Sequence, residues 1–480
     1  MRYLFILVSV IVCFLPVPVL SVVINIPDDF QSIQQGIIAA DDGDTVLVQP
    51  GTYYENISIR NIDILLTSTY LLNQDTASIL TTIIDGAGNG SVVNAYQMPD
   101  SGTIICGFTI QNGRNVRGGG IFMANADITV CHNIIKNNQA VSDGGQYAYG
   151  GGIYCLDCSP VISENIITYN TSEYFPYKDG FGGGICCNNA NALIVNNQIT
   201  YNTASGITSG GGGFYAINSN PEMGYNVLTE NISNWGGAIF YDSNCNGSIY
   251  RNLIFANYGG GILCRNTAEP EITNNTITSN YWAGGITCLS QSIPVVLNNI
   301  VWENEVYEMY VGGPTPPEIT FNDIRDGWEG EGNIDIDPLF VDSDNNNFHL
   351  LPGSPCIDAG SPDSPYDPDN TRIDIGVHYY DQTTAIDSDP VMPGVFKLNQ
   401  NYPNPFNAST TINYQLPKSA DVEIEIFDIL GRHVATLINQ RQQAGDYQAI
   451  WNAVDFSSGM YFYKVRAGDY IEIRKMLLLK

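Results

Sequence analysis

A chain of 480 residues is too long for one ordinary hydrophobic core and long enough for two domains. Its 19 Lys and Arg against 49 Asp and Glu give a formal net charge of -30. Such a surface excludes nucleic acid and anionic membrane as partners, because both are held by clustered Lys and Arg. The acidity is uneven: residues 22–394 carry 9 basic and 41 acidic side chains, a net of -32, whereas residues 395–480 carry 9 and 8, a net of +1.

The first 21 residues read as a signal peptide. Arg2 supplies the positive start, Tyr3 to Leu20 is an apolar run broken by Pro16 and Pro18, and Val19 and Ser21 fall at the −3 and −1 positions of a cleavage after Ser21. The rest of the chain has no second long apolar stretch, so the mature protein is expected to be exported with no transmembrane anchor. Asp29, followed by Phe30, Ile33, Ile37 and Ile38, predicts a capped amphipathic helix ending near Asp42 and Gly43. Such a helix can serve as a lid on a stack of strands, whose first strand would otherwise present an open edge.

The long middle of the chain is a repeat. The pattern N-x-x-x-x-N recurs at Asn133/Asn138, Asn165/Asn170, Asn197/Asn202, Asn226/Asn231, Asn252/Asn257, Asn275/Asn280 and Asn299/Asn304, with spacings of 32, 32, 29, 26, 23 and 24 residues. Between these pairs stands G-G-[IF], ending at Ile121, Ile153, Ile185, Phe214, Ile262 and Ile286, with Ile239 after a variant copy. A unit of this size, with β-branched segments separated by Gly and Asn, predicts one coil of a right-handed parallel β-helix. Stacked coils place equivalent residues about 4.8 Å apart in columns. Asn suits such a column because it tolerates left-handed turns and its amide bonds to the Asn above and below. Ile134/Ile135, Ile166/Ile167 and Leu253/Ile254 beside it fill the core. Gly107 to Asn112 reads as an upstream copy with Gly in the first Asn position.

Columns also organise the chemistry. Met123, Cys155, Cys187, Ala216, Tyr241, Cys264 and Cys288 share one inward column, which predicts buried free thiols; bridges between Cys155 and Cys187 or Cys264 and Cys288 are the alternative. Three coils are longer because residues are inserted at Gln139–Tyr149, Thr171–Phe181 and Thr203–Gly210, all at one corner. Insertions on one face of a solenoid mark its working surface. Counting back four positions from G-G-[IF] places Tyr149, Phe181, Trp235, Tyr258 and Trp282 in an aromatic column at that corner, near Tyr174, Phe175 and Tyr177. Exposed aromatic rings suit the C–H faces of sugars; buried ones shield the coil.

Two acidic sets are candidates for chemistry. Glu222 and Glu271 share an outward column two rungs apart with Ser248 between, roughly 10 Å, the upper end of the separation used by inverting glycoside hydrolases. Asp367, Asp369 and Asp374 offer oxygens to Ca2+, without EF-hand spacing, and no other cofactor is implied. Lys and Arg between residues 118 and 330 fall on scattered rungs, which gives a polysaccharide lyase no base. From Lys397 onward, short alternating strands such as Val422–Phe427 separated by turns predict a small sandwich.

Two resemblances rest on these residues. IPDDFQSIQ at Ile26–Gln34, GDTV at Gly43–Val46 and PGTY at Pro50–Tyr53 resemble the start of pectin-lyase-like β-helix proteins. DPLF at Asp337–Phe340, GSPCIDAG at Gly353–Gly360 and DIG at Asp374–Gly376 resemble the closing segment of bacterial β-helix surface proteins. This fold carries lyases, hydrolases, esterases, epimerases and adhesins, so the resemblance implies architecture and leaves the activity open. LNQNYPNPFN at Leu398–Asn407, TTINYQLP at Thr410–Pro417, DILGR at Asp428–Arg432 and SGMYFY at Ser458–Tyr463 resemble the type A sorting domain of type IX secretion. That resemblance implies a Gram-negative cell whose outer-membrane secretion machinery engages residues 395–480 and delivers the protein to the cell surface or beyond.

The sequence therefore predicts an all-β protein: signal peptide 1–21, β-helix 22–383 with an N-terminal capping helix, linker 384–394, and an Ig-like sandwich 395–480. Its expected role is glycan binding or adhesion. The alternatives are a glycoside hydrolase using Glu222 and Glu271, and a purely structural surface rod.

Overall fold

The computed structural model describes residues 21–480 apart from 99–101, 143–146, 175–178, 383–396, 399, 405, 417–419, 429–431, 443–444, 455, 458, 469 and 479–480. The expected leader (except Ser21), the expected linker 384–394, and Phe175 and Tyr177 lie outside the described residues; for Tyr174 the backbone alone is described. The chain divides into two compact units, Met1–Tyr380 and Asp381–Lys480.

The larger unit is a parallel β-helix. One coil runs through Ile153–Leu156, Val161–Ser163 and Ile166–Thr168, then returns to Ile185–Asn188 directly above its start. The three segments belong to sheets of 10, 12 and 11 strands, called here C, A and B, all paired in parallel. Register is strict: Ile153 pairs with Ile185, Ile162 with Ile194 and Ile167 with Ile199. Alternation along each three- or four-residue strand turns its central or first Ile inward, and these side chains are fully buried in one continuous core. Of the doublets, Ile135, Ile167 and Ile254 point inward, whereas Ile134, Ile166 and Leu253 point outward beneath other parts of the chain.

The asparagines form two buried ladders. Asn165 donates its backbone N–H (3.0 Å) and its Nδ2 (3.0 Å) to Asn197 Oδ1, and its Nδ2 also reaches the Val130 carbonyl (2.8 Å). The same pattern joins Asn138, Asn170, Asn202, Asn231, Asn257, Asn280 and Asn304 at the second corner. Each amide is thus satisfied inside the core, where an orphan would cost about 1–3 kcal/mol. Left-handed backbone, however, belongs to the residue before each ladder Asn. His132, Glu164, Tyr169, Tyr201, Tyr225, Glu230 and Arg251 have φ between 48° and 57°. The ladder bonds over-determine the turn, so residues that disfavour this conformation are held there. The upstream coil is accordingly shifted by one: Phe108 and Gly113 donate to Asn133 and Asn138, so Phe108 and not Gly107 stands in the first ladder position.

The helix Ile33–Ala39 closes the first coil, with Ile33 and Ile37 buried. Its cap is Ser32, whose Oγ accepts from Gln35 N at 3.2 Å; Asp29 instead accepts from Asn25 N at 2.7 Å in the preceding turn. Sheet B is covered outside in two places. Tyr70 and Ile79, from the helices Tyr70–Asn73 and Thr76–Thr81, pack over Ile134 and Ile166. Phe340 and Phe348 pack over Val227, Leu253 and Phe255.

The smaller unit is antiparallel. One sheet joins Lys397–Leu398, Ser409–Leu416 and Gly445–Asn452; the other joins His433–Gln442, Ala420–Asp428, Gly459–Ala467 and Tyr470–Leu478. Tyr414 and Trp451 from the first sheet and Ile424 and Tyr463 from the second share its buried core, which makes it a small sandwich.

Candidate functional site

The corner after the second asparagine ladder is where coils differ. Gln139–Ser142, Thr171–Tyr174 and Thr203–Ala204 stack with Arg114–Asn115 as an extra sheet, and Ala148–Tyr149 pairs with Gly180–Phe181. The insertions therefore build a wall beside sheet C. Between wall and sheet lies an aromatic cluster: Phe181, Tyr154, Tyr215 and Phe240 are buried, with Tyr149 packed against them. Tyr149 stacks on Phe181 at 5.7 Å, and burial pushes its phenol up to about 12. Asp242, itself buried, accepts from Arg265 (2.7 Å), Asn266 (2.7 Å) and Tyr215 Oη (3.1 Å) and closes this cluster with polar bonds.

The five aromatic residues do not form one column. Arg117, Tyr149, Phe181, Gly210 and Trp235 do pair successively. Tyr258 instead pairs with Ile232 and Tyr281, because residues 233–236 bulge outward and Trp282, at φ 77°, stands in a second, shorter bulge. Counting back from the glycines misses this, since it assumes equal corner lengths. Exposure divides the set the same way. Phe181 is 7% exposed, whereas Trp235, Tyr258 and Trp282 are 39, 40 and 62% exposed.

Trp235 lines a surface depression together with Gly236, Gly259, Gly260, Ala283, Thr287 and Tyr307. Gly259 has φ 103°, and a Cβ there would lie 2.1 Å from the Ser233 carbonyl oxygen, so this lining position must be glycine. Tyr258 and Trp282 stack at 5.6 Å and each directly precedes a lining residue, Gly259 and Ala283. Thr287 Oγ1 and Tyr307 Oη lie 3.2 Å apart at its other end. Tyr307 is not found by sequence reasoning, because its coil lacks the G-G marker from which the others are counted.

Glu222 and Glu271 occupy the predicted positions. Glu222 pairs with Ser248 and Ser248 with Glu271 in sheet A, and both glutamates are exposed. The column continues through Val295 to Glu318, so glutamate recurs on alternate rungs three times.

Asp367 and Asp374 are buried, and their oxygens are already committed. Asp367 accepts from Asp374 N (2.6 Å) and pairs with Arg251 (3.2 Å); Asp374 accepts from Asp358 N (2.7 Å) and Tyr380 N (2.6 Å). Asp369 accepts from Thr371. Burial pushes Asp374 up to about 6 and raises Asp367. These carboxylates tie the closing segment to the coil through backbone N–H groups and Arg251. Among the described residues, no group of three or more His, Cys, Asp or Glu side chains is placed to hold a metal.

The column Cys155–Cys187 and Cys264–Cys288 is inward, in register and buried, and the ten cysteines from Cys106 to Cys356 are free. Burial raises the Cys264 thiol well above its ordinary value and Cys288 to about 12, which suits packing and not nucleophilic chemistry.

These features define a parallel-coil solenoid and a compact antiparallel tail. Residues 215–332 match the family described as right handed beta helix region, and residues 400–479 match the secretion system C-terminal sorting domain. The solenoid is thus a right-handed parallel β-helix, and the tail is a type IX sorting domain that engages the secretion machinery and directs the protein to the cell surface or extracellular space. No helix among the described residues is long and apolar enough to cross a membrane. No curated protein and no solved structure matches the chain.

Proposed function

We propose that the exported β-helix binds glycan through the aromatic group at its loop-bearing corner, with Trp235, Tyr258 and Trp282 as the contact residues. The observation that carries this reading is their exposure beside a depression lined in part by glycine. Two tryptophans and a tyrosine left in water forgo burial energy that the neighbouring Phe181 and Phe240 collect. Tyr149 and Phe181, also expected in the contact set, support the wall from inside. Sorting to the cell surface places such a site where polysaccharides are met.

The test is retention of the mature secreted protein on immobilised polysaccharides. Trp235→Ala and Trp282→Ala together are expected to abolish retention with the unfolding transition unchanged. Undiminished retention by that double variant would remove this corner from consideration.

A further inference from the structure

We propose that the glycan taken by this corner is an uncharged polysaccharide running along the solenoid axis, and not a uronate or sulfated chain. The inference rests on the glycan-binding reading and narrows its ligand.

The direction comes from the rungs. Trp235 and Trp282 belong to coils two apart, so with about 4.8 Å per rung they are separated along the axis by roughly 10 Å, the reach of two sugar residues in an extended chain. Tyr258 fills the intervening rung and stacks on Trp282. A chain lying along the axis passes all three rungs, while one lying across it passes a single rung. Gly259 and Gly260 line the depression with backbone, beside the Thr287 and Tyr307 hydroxyls, which bond to each other.

The charge preference comes from what borders the rings. Glu305, exposed, accepts the Trp282 backbone N–H at 2.7 Å, and Glu308 lies buried in the same coil. Two described cations near these coils are already paired. Arg265 is bound to Asp242 at 2.7 Å and lies over the Phe240 ring, and Arg325 faces Glu303 at 3.8 Å. A body carrying 41 acidic against 9 basic side chains over residues 22–394 adds a repulsive background. Beside the three rings an anionic chain therefore meets like charge, with Arg265 and Arg325 already engaged, at a cost that grows as salt is lowered. An uncharged chain meets neither penalty and keeps the C–H contact with the indoles.

The experiment is affinity electrophoresis of the mature secreted protein, at low and at physiological salt. Gels contain cellulose derivatives, mixed-linkage β-glucan or galactomannan in one set, and polygalacturonate, alginate or chondroitin sulfate in the other. The expected result is retardation by at least one uncharged polymer, insensitive to salt, with the anionic polymers at least about ten-fold weaker, a difference of about 1.4 kcal/mol. Tighter retardation by an anionic polymer would overturn this inference and leave glycan binding standing. Retardation by no polymer in either set would overturn glycan binding itself.

Discussion

Asn304 donates its backbone N–H to Glu308 at 3.1 Å and its Nδ2 to the same carboxylate, which stands where every earlier rung of that ladder offers another asparagine. The second ladder is therefore terminated by a carboxyl group and not by an amide. Two donors on Asn304 depend on it, and Asn304 and Glu308 are both buried. Glu308→Ala is expected to destabilise the solenoid by about 2–3 kcal/mol, because it orphans buried donors. Glu308→Gln keeps an acceptor and should cost less than half as much. Calorimetric unfolding of the two variants decides it; equal losses would show that one acceptor oxygen is not enough and that the full carboxyl group is required.

The same end of the solenoid sets a pH dependence. Burial raises Glu308 to about 7, Asp323 to about 7 and Asp374 to about 6, from ordinary values near 4. The groups facing them are Arg325 and Asp326 beside Glu308, Cys356, Asp335 and Asp337 beside Asp323, and Asp358 and Asp367 beside Asp374. Each folded pKa lies above the unfolded one, so the folded state holds more protons between about pH 4 and 7. Stability is then highest below the unfolded values and falls as pH rises through the folded ones. With partial solvent screening, each group contributes on the order of 1–2 kcal/mol. The solenoid transition should move down between pH 5 and pH 8, and Asp323→Asn should flatten that slope. A transition that rises over this interval would contradict the assignment.

What could be read from the sequence depends on how strictly each position is constrained. A ladder Asn can be replaced by almost nothing that both donates and accepts inside the core, so Asn133 through Asn304 mark every rung. The left-handed position before it is filled by Asn at Asn137, Asn196, Asn274 and Asn298 but elsewhere by His, Glu, Tyr, Arg, Ala, Ser or Phe, so it carries no single signature. Trp235 and Tyr258 fall into one column by counting, because bulges change corner length without changing the glycines after them. Asn322 and Asn333 extend the first ladder to the end of the solenoid, unsignalled because no second asparagine stands at the usual distance. The helices at Tyr70–Asn73 and Thr76–Thr81 are too short to show a period, and their packing over Ile134 depends on contacts remote in sequence.

The left-handed turns can be tested at Glu230, which is exposed at φ 56°. Glu230→Gly removes the steric cost of that conformation, about 1 kcal/mol, against an entropic loss of similar size. Its effect should stay within about 0.5 kcal/mol of zero, in contrast to the loss of about 0.5–1 kcal/mol typical of glycine in a regular element. Glu230→Val, whose branched side chain suits this backbone worst, should lose at least about 1 kcal/mol. Denaturant midpoints of the two variants compare them directly, and a costlier glycine would mean that the Glu230 side chain matters for another reason.

The cysteines predict a labelling pattern. Nine of the ten from Cys106 to Cys356 are buried, and Cys131 is half-buried. Alkylation of the folded secreted protein should therefore modify Cys131 at most, and alkylation after denaturation without reductant should modify all ten. Mass spectrometry reads both. Fewer than ten modified after denaturation would reveal a bridge, with Cys155 and Cys187 or Cys264 and Cys288 the pairs in register.

Glu222 and Glu271 give the test that separates binding from catalysis. Two rungs place their backbones about 10 Å apart, just beyond the usual range for an inverting pair, and both side chains are exposed on the outer face of sheet A. Ser248 stands between them, and Glu318 repeats the same spacing one step further, as a solvated periodic face does. A raised acid paired with an ionised base requires two unlike environments. Two glutamates on one open column stand in like ones. The mature protein is therefore expected to release no reducing ends from any polysaccharide it retains, and Glu222→Gln should leave retention unchanged. Release that disappears in Glu222→Gln would make the solenoid a glycoside hydrolase and move its working surface from the aromatic corner to sheet A.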